Sequence, residues 1–247
     1  MRYNLKGTIC ADEDAPIYRW FGLAAACPAD IRQALADNPA GEEFVLEINS
    51  GGGSVYAGFE MYSLLRGAKV PTCAEVQSLA GSAASVVLAA VDTAAASPVG
   101  QVMIHLPSTY TEGNQIVHRE SVQMLEAVTG SIIAAYEAKC KGKTSRDALR
   151  RMMDRETFLT AQEALDAGLI DEIIGAEDGA PVNPMNVFNA AGGMPDIEKL
   201  RAAYREAHQT GGDPQAGKTD GDAETAQARA SAIALAEADI NMNILYD

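Results

Sequence analysis

Aromatic residues are scarce in this 247-residue chain: 6%, with a single Trp. A core must be assembled from Ala, Val, Ile, Leu and Met, and the hydrophobic fraction of 47% supplies them. Basic residues are few as well, 19 Lys and Arg against 34 Asp and Glu, for a net charge of -15. A nucleic-acid surface needs clustered Lys and Arg to replace counterions, so that class of partner is excluded. The four cysteines, Cys10, Cys27, Cys73 and Cys140, have no CxxC spacing and no His at metal-ligand intervals. They are expected to be reduced, mostly buried thiols in a cytoplasmic protein, with no metal and no cofactor. No run reaches the roughly 18 apolar residues of a membrane helix, so no membrane partner is expected. The longest, around Ser85 to Ala96, is interrupted by Asp92. The opening segment MRYNLKGTICADEDAP has no apolar stretch long enough for a signal peptide. Histidine is scarce too, with three in all, so a general base has few candidates.

What is present alternates between two periods. Leu5 to Cys10, Glu43 to Asn49, Val70 to Val76 and Gln101 to His105 read as strands. Pro28 opens a helix carrying Ile31 and Leu35 on one face, and Val55, Phe59, Met61, Tyr62 and Leu65 form the stripe of a second. A third begins near Ser82. Gly113 to Lys141 reads as one long helix, Ser145 to Met153 and Ala161 to Ala167 as shorter ones, and Leu169 to Ile174 as a last strand. Strands alternating with helices predict an α/β fold. Composition changes near Ala176. Pro195 to His208 is an amphipathic helix, Thr210 to Gly221 is linker-like, and Ala223 to Ala238 is alanine-rich. The expected organisation is a core domain over 1–175, a linker over 176–194 and a partly disordered helix-linker-helix tail over 195–247 as an appendage.

Several residues carry possible chemistry. In LAGSAASVVLAAV, Leu79 to Val91, two serines stand three apart. A serine attacks only if a base takes its proton and donors receive the oxyanion. Ser85 lies at a helix start among small neighbours, where the Val86 N–H can face developing charge. Gly51-Gly52-Gly53 offers a second backbone donor on a strand-to-helix turn. His105 ends the strand QVMIH before Leu106-Pro107, and Asp154 or Glu156 can orient it. Taken singly, each feature is more often structural: a packing serine, a turn, a solvated carboxylate. Their order gives them weight.

That order resembles the ClpP family of serine proteases. Asn49-Ser50-Gly51-Gly52-Gly53 is similar to the family's N-S-P-G-G turn, with glycine in place of proline. Gly81-Ser82-Ala83-Ala84-Ser85 matches G-x-A-A-S, and Met103-Ile104-His105 matches M-I-H. Phe158-Leu159-Thr160-Ala161, Glu163-Ala164 and Gly168-Leu169-Ile170-Asp171 match F-L-[ST]-A, E-A and G-L-[IV]-D. The resemblance covers about residues 5 to 175. It implies a ClpP/crotonase-like fold of stacked β-β-α repeats, with the long helix as an inter-ring handle. It implies that Ser85 is the nucleophile, Ser82 the family's variable position, His105 the base, and Gly53 and Val86 the oxyanion donors. Gly52 and Ser54 would touch substrate. Glu156 stands where the family has its aspartate, with Asp154 as a rival.

The glycine-rich turn and the acidic, Ala-rich extension look most like ClpP-like proteases of phages and prophages. The resemblance then implies head maturation: cleavage of scaffold or capsid precursors by homo-oligomeric rings, in the host cytoplasm or inside the prohead. It leaves the need for an ATPase partner open. Two alternatives stand beside it. One is a non-catalytic or fused scaffold protein whose tail is the working part. The other is a crotonase-type acyl-CoA enzyme, which also uses two backbone N–H groups but needs no Ser–His pair.

Overall fold

The computed structural model describes residues 1–175 and 197–209. The expected linker over 176–194 and the tail beyond Gln209 lie outside the described residues. Among these residues the elements run β1 (Arg2–Ile9), α1 (Ala15–Trp20), β2 (Ala25–Ala26), α2 (Pro28–Asp37), β3 (Phe44–Gly53), α3 (Val55–Arg66), β4 (Thr72–Gly81) and α4 (Ala83–Leu88). They continue with β5 (Thr93–Ala96), β6 (Gln101–Ile104), α5 (Gln115–Cys140), α6 (Arg146–Asp154), β7 (Thr157–Thr160), α7 (Ala161–Ala167), β8 (Glu172–Ile173) and α8 (Ile197–Gln209). The α/β class expected from the sequence is the class observed.

The helix starts follow local chemistry. Pro28 occupies the first turn of α2, where its missing N–H costs nothing, and the Asp30 carboxylate accepts from Cys27 N–H at 2.9 Å. Asn114 caps α5 through Ile116 N–H at 2.9 Å. Thr160 and Glu163 form a reciprocal capping box on α7.

The strands form one sheet in the order β2-β1-β3-β4-β5-β8, parallel throughout this path. β4 forks. Its first half, Cys73 to Val76, pairs with β5, and its last three residues, Leu79 to Gly81, pair with β6. β6 in turn pairs antiparallel with β7. Phe44, Leu46 and Ile48 of β3 and Ala74 and Val76 of β4 point into the core, while Glu47, Asn49, Glu75 and Gln77 point the other way. Parallel sheets are usually covered on both faces. Here the second face is polar, and Arg2 bridges Glu47 at 2.6 Å and Glu75 at 2.8 Å across three strands.

The core face is covered by α2, α3, all of α4 and the second half of α5, through Val128, Ile132, Ile133 and Tyr136. The first half of α5 is exposed and carries Ile116, Val122 and Met124 in the open. Lys139, on the buried half, is 2% exposed and donates to Asp171 at 2.7 Å and to the Val91 carbonyl.

A second compact unit joins Asp12–Ala24 with the described part of the C-terminal segment. Within it, Arg201 of α8 donates to Asp14 at 2.6 Å and to Glu198 at 2.6 Å, and Tyr204 meets Trp20 edge-on at 5.4 Å. The face of α8 expected from the spacing of Ile197, Leu200 and Tyr204 is the face that packs, with Leu200 buried.

Candidate active site

The fork in β4 builds the site. β4 ends at Gly81, which pairs with Met103 of β6, and the Ser82 N–H donates to the Met103 carbonyl at 2.9 Å. The chain then turns into α4. To make that turn Ser82 adopts φ 51° and ψ -122°, a region an L-residue rarely enters. The turn lifts the half-buried Ser82 side chain to the end of the sheet. β6 delivers His105 to the same end, and its Nε2 lies 2.8 Å from Ser82 Oγ.

Ser85, the serine expected as nucleophile, has other hydrogen-bond partners. It sits in the first turn of α4, 1% exposed, with its Oγ 2.6 Å from the Ser82 carbonyl and 2.7 Å from Tyr136 OH. A side chain three residues into this turn points inward, whereas the residue before the helix points out. Val86, expected as an oxyanion donor, is buried, and its N–H is engaged with the Ser82 carbonyl at 3.4 Å inside the helix. The first N–H after Ser82 is that of Ala83, which as the opening residue of the helix has no intrahelical acceptor.

The glycines of the turn face different neighbours. β3 pairs with β4 as far as Ser50 and Ala80, then runs past Ser82. Gly53 is packed on β1: a Cβ there would collide with the Ile9 carbonyl. Gly52 is the glycine against the serine. With φ 100°, its absent Cβ would fall 2.7 Å from Ser82 Cβ, 2.7 Å from Gly81 O and 2.9 Å from Ala83 N. The Gly52 N–H donates to Ser50 Oγ at 3.1 Å, which in turn donates to Gly7 O at 2.6 Å. Ser54, expected to touch substrate, caps α3, accepting from Ala57 N–H.

The two carboxylates separate clearly. Asp154 is the last residue of α6 and is held by Arg150 at 2.8 Å. Glu156 has φ 48° in the turn before β7. Ile104 pairs with Thr157, so the next antiparallel positions outward are His105 and Glu156. Neither carboxylate is hydrogen-bonded to His105, whose recorded partner is Ser82. Among the described residues no three His, Cys, Asp or Glu side chains gather as metal ligands, and no helix is long and apolar enough to cross a membrane.

The family model described as "Clp protease" matches residues 32–177. The chain belongs to the Clp protease family. Over 140 residues it is 35% identical to the ATP-dependent Clp protease proteolytic subunit of Bacteroides fragilis, covering 54% of this chain. The match spans 65% of that relative's length, just under two thirds. The Clp family segment contains every residue of the site built above, from Ser50 to Glu156, and ends two residues into the segment that the structure leaves undescribed.

Proposed function

We propose that this chain is a serine peptidase whose nucleophile is Ser82 and whose general base is His105. The observation that carries this reading is the 2.8 Å contact between His105 Nε2 and Ser82 Oγ. In acylation the Ser82 hydroxyl proton passes to His105 Nε2 as the Oγ–C bond forms on the substrate carbonyl. The imidazolium then protonates the departing amine as the C–N bond breaks. Water, deprotonated by His105, cleaves the acyl ester and regenerates Ser82 with a free carboxylic acid. The Ala83 N–H is the donor nearest the reacting carbonyl, with the turn at Gly52 beside it. Glu156 orients the imidazole, since the strand register faces it to His105 while Asp154 is engaged by Arg150.

The substrates are proteins, processed by a homo-oligomeric ring in which the exposed half of α5 meets another copy. The phage-type reading, cleavage of scaffold or capsid precursors in the host cytoplasm or the prohead, rests on the Gly51-Gly52-Gly53 turn and the acidic extension. The acyl-CoA alternative gives no use to a Ser82–His105 contact, and a purely structural protein gives none to the strained Ser82 backbone. Incubation with a fluorophosphonate probe tests the reading: intact mass should show one adduct on the wild type and none on Ser82→Ala. An adduct persisting on Ser82→Ala would overturn it.

A further inference from the structure

Ser85 is released from the role of nucleophile, yet it is not an idle packing residue. Its hydroxyl has one proton and lies 2.6 Å from the Ser82 carbonyl, which can only accept. The 2.7 Å contact with Tyr136 must therefore have the tyrosine as donor. The chain of bonds runs from Tyr136 O–H to Ser85 Oγ, and from Ser85 O–H to the Ser82 carbonyl. Both side chains are 1% exposed. Two hydroxyls so deeply buried are costly unless they satisfy one another, and Ala and Phe would fill the same space without that requirement.

The end of this chain is the peptide joining Ser82 to Ala83. That peptide is planar and trans, so its C=O and N–H point in opposite directions. The carbonyl is gathered inward by three donors: Ser85 Oγ, the Ser85 N–H at 2.9 Å and the Val86 N–H at 3.4 Å. Whatever holds the carbonyl inward aims the Ala83 N–H outward, toward Gly52 and the space beside Ser82. The plane needs holding, because Ser82 at φ 51° is off any comfortable basin for an L-residue.

We propose that Tyr136 and Ser85 are positioning residues that lock the Ser82–Ala83 peptide plane and so fix the oxyanion donor from inside the core. The proposal rests on Ser82 being the nucleophile. Each hydroxyl polarises the next, so loss of the tyrosine proton weakens the grip of Ser85 on the carbonyl. The reaction step they serve is the one in which negative charge gathers on the acyl oxygen. Ground-state binding of substrate does not depend on them.

The test uses the full chain with Tyr136→Phe, Ser85→Ala and the double variant, and a fluorophosphonate as probe. In its reaction Ser82 Oγ bonds to phosphorus, fluoride leaves, and the serine proton goes to His105, with charge building on the phosphoryl oxygen. The maximal inactivation rate should fall about 10-fold in each single variant, with the half-saturating probe concentration unchanged. The double variant should fall no further than Ser85→Ala alone, since a chain broken once is broken. Rates are taken where circular dichroism shows each variant folded. Tyr136→Phe tests the chain without leaving a cavity, so it stands even if Ser85→Ala folds poorly. A wild-type rate in folded Tyr136→Phe would overturn the proposal, as would a weaker half-saturation with an unchanged maximal rate. If Ser82→Ala is still labelled, it is the nucleophile assignment that fails.

Discussion

His105 Nε2 and Ser82 Oγ meet at 2.8 Å because two residues on adjacent strands, Gly81 and Met103, are paired immediately beforehand. The Ser82 N–H then bonds the Met103 carbonyl, so backbone and side chain agree on the same juxtaposition. In a triad the base and nucleophile act as a unit. Ser82→Ala is expected to lower peptide hydrolysis on the order of 10⁶-fold, with His105→Ala close behind. Hydrolysis of a fluorogenic peptide, with mass mapping of the labelled serine, checks this. Label found on Ser85 would refute it.

The two carboxylates give a second contrast. Glu156→Gln should reduce the maximal rate by on the order of 10³-fold or more, by analogy with loss of the orienting acid elsewhere. Asp154→Asn breaks only an exposed pair with Arg150 and should leave the rate within about twofold. Steady-state rates on one peptide substrate decide between them. Equal losses would remove Glu156 from the triad.

The neighbouring glycines should fail in different ways. Gly52→Ala puts a methyl group 2.7 Å from Ser82 Cβ and the Gly81 carbonyl, so labelling of Ser82 should vanish in protein that is still folded. Gly53→Ala drives a methyl group into the Ile9 carbonyl and loosens β1 from β3. It should cost about 3 kcal/mol or more of stability. Urea unfolding beside probe labelling separates the two effects.

Much of the fold is written in local pattern. α5 is legible because its apolar residues recur at helical spacing, and β3 because its in-out alternation ends in a glycine turn. β5 is not legible: Ala94 to Ala96 are small, favour helix alone, and become strand only because β4 and β8 flank them. α1 is six residues long, and its partner α8 is far away in sequence. At the site, the motif order pointed to Ser85, whereas the nucleophile proposed from the geometry is Ser82, one helical turn earlier. The choice depended on which serine precedes the helix and which lies inside it, and boundaries are what sequence reads least well. Glycine 81 beside Ser82 was the available signal for a tight turn at that residue.

Lys139, buried on α5, is tied to Asp171, an exposed carboxylate on the chain entering β8. Burial pushes the Asp171 carboxyl upward, but the Lys139 hydrogen bond, the Ala94 N–H and the attraction of Lys139 outweigh it and hold it below the ordinary carboxylate value. A depressed folded value means the stabilisation is complete above the unfolded value, near pH 4, and is lost as pH falls through the folded one. Asp171→Asn should leave the buried Lys139 charge with the Val91 carbonyl, costing about 1 to 2 kcal/mol at pH 7 once the exposure of the carboxylate is discounted. The loss should shrink in acid. Urea midpoints at pH 7 and pH 3 check the sign; an equal loss at both would contradict it.

Ser82 itself is expected to work against stability. Replacing it with glycine, which enters its backbone region freely, should abolish activity and raise unfolding free energy by about 1 kcal/mol. Thermal and urea unfolding of Ser82→Gly beside Ser82→Ala measures this; a lower stability for the glycine variant would contradict it.

The fork in β4 has a last implication, for hydrogen exchange. Serine and imidazole are kept together by only three strand pairs, Leu79 with Gln101, Ala80 with Val102 and Gly81 with Met103. β6 and β7 can detach there as a pair while the pairing of β1, β3 and the first half of β4 stays closed. Amides of the β6 ladder should therefore exchange through a sub-global opening, ahead of those in β3. Loss of activity in urea would then precede loss of the fold.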